Sequence, residues 1–489
     1  MIKKTLSITA LCAVCLLLAF VQQRCTIAGA KPLPASACYC GGQILPFNTT
    51  LPSFKITNQQ VADCFSWQEF IALNQPLDST KAFGDTSDIG MVVWEKFMPT
   101  NEIFRKDGKT PFPWKSLGDV PIGADAKKFR TGKYLVLEES QKIPKSITNA
   151  KGDFSSNQVV ENNGPAWLGA QNNTNIWYEV LVNKVEYDYI VKNHLYNADS
   201  QYAMSKRGQQ IFLPDTGDGA IEIKAAWMEL SANDQQYPRF STFKQRYKLS
   251  QAYVQDSPNG KHRRTIVALI GLHILRKVPG QPSFVWATFE QVDNNMGLDT
   301  VSHPIGCNLY NDRCSAQTLQ IKTKTGKDTQ VVVSCTPNKQ PPYFLTEGNT
   351  PVPIQVTRET PLALTELQTN ARVVACIAQA NPGSVWQYYR LVNTIWSSNP
   401  VPDSSQNQVD SMALSGMLPT TNSAVANTTL ETYNQQTNCA NSCHKFASTA
   451  RPYFDTLGKR STPKYLTDFS FVFGLAKTAK PAAKGKKKS

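Results

Sequence analysis

Two cysteines and a histidine near the C-terminus, Cys439-Ala-Asn-Ser-Cys443-His444, are the residues of this chain whose types and spacing point most directly to chemistry. Thiols so placed can add across the two vinyl groups of a haem, with the adjacent imidazole coordinating the iron from one face. The usual form has two residues between the cysteines, and this chain has three. The same side chains could instead form a plain Cys439–Cys443 disulfide or half of a zinc site. The motif alone leaves all three readings open.

An iron held by His444 has a second axial position, whose occupant sets potential and reactivity. Residues 445–489 contain neither Met nor His, so a sixth ligand must come from upstream. Met412 and Met417 lie nearest in sequence, and His273 sits in an apolar stretch. Each also has an ordinary reading, as loop or core filler for the methionines and as a hydrogen-bonded core residue for the histidine. A centre with an open sixth position, able to take a small ligand, is a further reading. Other constellations are weaker. Asp215 and Asp218 in a Gly-rich turn could bind calcium, and Glu222 and Lys224 on one strand face could pair. The sequence carries no Ser-His-Asp set, nucleotide loop or His-Glu-x-x-His motif.

The elements that must position these residues are read from periodicity. Val61 to Leu73 follows a helical rhythm closed by Pro76, and Glu359–Ala380 has helical spacing. Strands are expected at 177–184, 220–227, 247–254, 284–292 and 330–334, with a helix at 187–196. Thr265–Val278 is apolar on both faces, as a central, fully buried strand should be. Asn427–Tyr433 reads as a short helix leading into the cysteine motif. The expected class is α+β: a large, mostly antiparallel sheet domain with flanking helices and a short C-terminal haem-binding segment. The expected boundaries are an extended lead-in over 31–60, the large domain over 61–400, a polar linker over 401–426, the haem-binding segment over 427–476 and a disordered Lys-rich tail over 477–489. Because the last segment is too short to be a cytochrome domain by itself, its haem should dock against the large domain.

Composition sets the context. The chain has 489 residues, with 18% charged and 10% aromatic, a globular profile. Its net charge of +14 is concentrated at the two ends, and the body is only mildly basic. Nothing points to nucleic acid; the Lys tail gives at most a weak contact with an anionic membrane surface. Lys3 and Lys4, the apolar run Leu6–Val21 and the small residues Ala28-Gly29-Ala30 form an export signal over 1–30, with cleavage expected after Ala30. Nine of the 12 cysteines lie beyond it, in a compartment where disulfides are expected. Cys307 and Cys314 are a plausible pair, and the odd number leaves one thiol over.

Several segments in order, Trp67-Gln-Glu-Phe-Ile-Ala-Leu-Asn74, Val93-Trp-Glu95, Gly219–Trp227, Ile270-Gly-Leu-His-Ile274, Trp286-Ala-Thr-Phe-Glu290, Asn427-Thr-Thr-Leu-Glu-Thr-Tyr433 and Asp468-Phe-Ser-Phe471, resemble a family of exported bacterial proteins named cytochrome c family proteins. The resemblance covers most of residues 60–476. Members place a Cys-x-x-Cys-His after the Asn-Thr-Thr segment, where Cys439, Cys443 and His444 stand here with one extra residue. The resemblance implies an exported, periplasmic or secreted monohaem protein with one covalent haem c, anchored by Cys439 and Cys443 and ligated by His444. It would exchange single electrons with a redox partner protein. A haem-dependent oxidoreductase and a haem-free binding or structural protein with a Cys439–Cys443 disulfide are the alternatives.

Overall fold

The computed structural model describes residues 38–85, 89–114, 134–137, 165–255, 262–296, 302–345, 348–397 and 425–436, and, toward the C-terminus, 440, 443–451, 453–454, 460–461 and 466–479. The export signal, Met412, Met417, Cys439, most of the 401–426 linker, most of the turn-rich 105–165 stretch and nearly all of the Lys tail lie outside them.

The strands are β1 (Cys38–Cys40), β2 (Gln43–Leu45), β3 (Met98–Pro99), β4 (Tyr134–Leu137), β5 (Ile176–Val182), β6 (Ile221–Glu229), β7 (Leu249–Gln255), β8 (His262–Arg276), β9 (Val285–Gln291), β10 (Gln317–Lys322), β11 (Asp328–Val333) and β12 (Tyr389–Ile395). The helices are α1 (Gln59–Leu73), α2 (Thr100–Ile103), α3 (Lys184–Lys192), α4 (Ala198–Ser205), α5 (Arg239–Arg246) and α6 (Leu364–Ala380). This is the α+β architecture the sequence implies. One sheet runs in the order β12-β9-β8-β6-β5-β3, and β7 joins the N-terminal half of β8. All of its pairings are antiparallel except β4 with β7. The strand apolar on both faces is β8, and it is central: β6 pairs along one edge, β9 and β7 along the other. A strand covered on both faces cannot be amphipathic, which is why its sequence lacks alternation.

The two faces of this sheet differ. From one face Ile223 and Ala225 (β6), Leu272 and Ile274 (β8), Ala287 and Phe289 (β9) and Leu391 (β12) join a core with Trp67, Phe70 and Ile71 of α1 and Val373 and Ile377 of α6. Asn58 caps α1 by accepting from the Val61 N–H at 3.0 Å. Disulfides Cys40–Cys64 and Cys38–Cys376 fasten the β1–β2 hairpin to α1 and α6. The opposite face presents Glu222 and Lys224, then His273, then Thr288 and Glu290, all buried. The C-terminal stretch packs there.

Two expectations are corrected. Asn427–Tyr433 forms turns rather than a helix. Asn427 Oδ1 accepts from the Thr429 N–H and hydroxyl at 3.0 and 2.7 Å, so its side chain competes with helical pairing. Cys314 pairs with Cys335 across the ends of the β10–β11 hairpin, not with Cys307, which remains a thiol. The β10–β11 pairing brings the hairpin's two ends together and with them the two half-cystines. Three disulfides fit a chain that folds in an oxidising compartment. No described helix is long and apolar enough to cross a membrane.

Candidate functional site

His444 is buried on the polar face, and its two ring nitrogens are spoken for in opposite senses. Nδ1 lies 2.6 Å from the Phe469 carbonyl, which can only accept. Nε2 lies 3.4 Å from the Lys224 ammonium, which can only donate. The proton is therefore on Nδ1 and the lone pair on Nε2. This is the tautomer of a metal-ligating histidine, whose other nitrogen is held by a carbonyl or carboxylate that fixes the ring and raises its basicity.

The Phe469 carbonyl is aimed by an unusual backbone. Asp468 and Phe469 both have positive φ, 51° and 68°, a conformation that costs non-glycine residues of order 1–3 kcal/mol each. Asp468 is tied down from two sides, by Lys277 Nζ at 2.9 Å and by the Leu213 N–H at 2.8 Å. The rings of Trp286 and Phe471 pack against the imidazole, and the Phe469 ring packs on Trp286 behind it.

His444 shares a small cavity with Lys224, His273, Trp286 and Thr288. His273, the upstream candidate on β8, is thus brought to the same space. Its Nε2 meets Glu431 Oε1 at 3.1 Å, and Glu431 Oε2 accepts from the Asn427 N–H at 2.9 Å. The Asn427–Glu431 turns are themselves clamped to the sheet. Asn427 Nδ2 donates to the Phe289 carbonyl at 2.8 Å, and the Thr428 N–H and hydroxyl donate to Glu290, both at 2.6 Å. Arg358 completes the pairing with Glu290 at 2.5 Å. Gly271 permits this approach: a Cβ there would stand 2.0 Å from Thr429 Oγ1.

Beside Lys224 lies a second buried group. Glu222 and Glu186 (α3) face one another, and their carboxyl oxygens have no N–H partner. Burial raises both carboxyls above the ordinary range, Glu186 well above it, with Glu222 adding repulsion; Lys224 and Ser470 pull Glu222 back toward ionisation. Neighbouring buried carboxyls resist ionising together, so ionising one favours the protonated form of the other. The Glu222–Lys224 ion pair read from the strand is not formed: Lys224 Nζ turns to His444 Nε2 and acts on Glu222 only through its charge. The Asp215–Asp218 loop takes a structural role: the Asp218 carbonyl accepts from Arg276 Nε at 2.7 Å, and Gly219, at φ 68°, would meet the Lys277 carbonyl at 2.0 Å if it carried a Cβ.

The ligand chemistry of His444 fits a haem iron: a buried imidazole, lone pair on Nε2, Nδ1–H anchored. In this conformation Lys224 takes that lone pair. The described residues in front of it enclose about 20 Å³, room for a water. Lys224 is therefore the residue that must withdraw for an iron to be ligated. The sequence reading missed Lys224, Trp286 and the Phe469 carbonyl as neighbours of His444, and Glu186 as the buried neighbour of Glu222. The available signal was the pair of charges at alternate positions of an otherwise apolar strand, Glu222 and Lys224. No protein-family model, curated protein or solved structure matches this chain.

Proposed function

We propose that this chain is an exported, periplasmic or secreted, monohaem c-type cytochrome-like protein that moves single electrons. One haem c is anchored through Cys439 and Cys443, with His444 as proximal ligand and the signal cleaved after Ala30. Bound there, the haem supplies a one-electron iron couple. The observation that carries the reading is the fixed tautomer of buried His444, with Nδ1–H on the Phe469 carbonyl at 2.6 Å. The family resemblance of the surrounding segments supports it. Phe469 orients the ring, while Trp286 and Phe471 keep water from it. Lys224 is a buried cation beside the ligand, which favours the more electron-rich state of a centre ligated there. His273 is the described side chain best placed to act from the far side of the cavity, and the redox partner is a protein.

A second reading has its own support. Lys224 capping Nε2, with about 20 Å³ before it, suits a haem-free exported protein in which His444 is structural and Cys439 and Cys443 form a disulfide. The reduced pyridine–haem spectrum of the denatured chain, expressed with its signal in a host that matures c-type cytochromes, separates the two. A retained c-type spectrum, abolished in the Cys439→Ser/Cys443→Ser double variant, is expected. Its absence from the unmodified chain would leave the disulfide reading.

A further inference from the structure

A second cavity, of about 450 Å³, shares no lining residue with the first, and Met228, Met296, His303 and Cys307, whose side chains carry soft or borderline donor atoms, are among the residues that line it. His303 is set in place by a buried network. Its Nδ1 meets Asp293 Oδ1 at 3.0 Å, and Asp293, fully buried, is itself gripped by Arg246 at 2.8 and 2.7 Å and by the Tyr247 hydroxyl at 3.1 Å. A carboxylate can only accept, so the proton sits on Nδ1 and the lone pair on Nε2. A histidine anchored through one nitrogen by a carboxylate is the recurrent support of a metal-ligating imidazole.

Cys307 follows on the same loop. Gly306, at φ 82°, closes a turn in which its N–H donates to the His303 carbonyl at 3.1 Å. The Asn308 and Leu309 N–H groups then donate to the Asp293 and Asn294 carbonyls at 2.7 and 2.9 Å, fixing the loop to the Asp293 network. Cys307 is outside the three disulfides. Burial, with Asp293 and Asp312 adding to it, pushes its thiol up to about 11, so at neutral pH it is a poor nucleophile. Met228 is buried at the back, and Met296 is 59% exposed.

From this juxtaposition we propose that His303, Cys307 and the methionine sulfurs form a binding site for one soft monovalent ion, copper(I). Thiolate, thioether and imidazole ligands suit copper(I). Among the described residues no group of three or more His, Cys, Asp and Glu is placed to hold a metal, so a zinc-type donor set is not what the cavity offers. On binding, the Cys307 S–H bond breaks, a sulfur–copper bond forms, and the proton leaves to solvent without change of oxidation state.

The test uses the full exported chain, titrated anaerobically with copper(I) against a chromophoric copper(I) chelator. The unmodified chain should retain one more ion than Cys307→Ser. Any copper held by Cys439 and Cys443 is common to both and cancels. His303→Gln should weaken that ion at least tenfold. Met296→Leu, a change at an exposed position that leaves the core alone, should weaken it severalfold. One equivalent of copper(I) should also protect Cys307 from a thiol-reactive dye. Equal copper retention by the unmodified chain and Cys307→Ser, with both showing the same thermal melt, would overturn the proposal. So would undiminished dye labelling of Cys307 in the presence of copper(I).

Discussion

The two faces of the central sheet are built from alternate residues of the same strands and end in different kinds of interior. Toward α1 and α6, Ile223, Leu272, Ile274, Ala287 and Phe289 meet Trp67 and Phe70. Toward the C-terminal stretch, Lys224, His273, Thr288 and Glu290 meet His444, Glu431, Asn427 and Thr428. An apolar face needs only shape and area. A buried polar face needs each group matched, because an unmatched one costs 1–3 kcal/mol or more. The first face therefore serves stability. The second is an expensive arrangement whose product is one oriented imidazole beside one buried cation.

The contrast can be broken from either side. The largest effect is expected on the apolar side. Cys376→Ser opens a link between residues 338 apart in sequence and should cost roughly 5 kcal/mol, read as a drop in chemical-denaturation midpoint under oxidising conditions. On the polar side, Glu290→Ala strands Arg358, 4% exposed at its side chain, and strips the Thr428 contacts. About 4 kcal/mol should be lost, while Glu290→Gln should lose less. Gly271→Ala should cost about 3 kcal/mol, because its Cβ falls 2.0 Å from Thr429 Oγ1. Hydrogen exchange should rise over 425–436 before it rises in α1.

An effect of similar size, but spread over pH, probes the buried acid Glu69 that α1 brings to the Arg276 end of β8. Burial raises Glu69 to about 7, against 4.5 ordinarily, with Arg276 opposing the rise. Between those values the folded chain holds a proton that the unfolded chain has released, so stability is highest below about pH 4.5 and falls as pH rises through 7. The full span is about 3 kcal/mol, and Glu69→Gln should flatten that part of the stability–pH curve. An unchanged slope would mean that Arg276 already holds Glu69 ionised.

The apolar face was legible in the sequence; the polar face was legible only in part. Helices α1 and α6 and strand β8 follow from periodicity, since burying one stripe or two faces leaves a fixed pattern. His444 and His273 could be singled out by type. Their meeting could not, because it depends on strand order and on where the C-terminal stretch lies. Lys224 and His444 are 220 residues apart. Asn427–Tyr433 was misread as helix because its Asn and Thr side chains bond locally and to β9, which period alone does not register. The Cys314 partner was hidden for a similar reason: Cys307 is nearer in sequence, but the β10–β11 register delivers Cys335.

The central claim is that the polar face exists to hold His444 as a ligand of covalently attached haem. Intact-mass spectrometry of the denatured chain, exported from a host that matures c-type cytochromes, tests it most directly. The account predicts the mass of the chain beginning at Lys31, with three disulfides and one added haem. The same chain with a fourth disulfide and no added mass would contradict it, and would make Lys224 and His444 a purely structural pair.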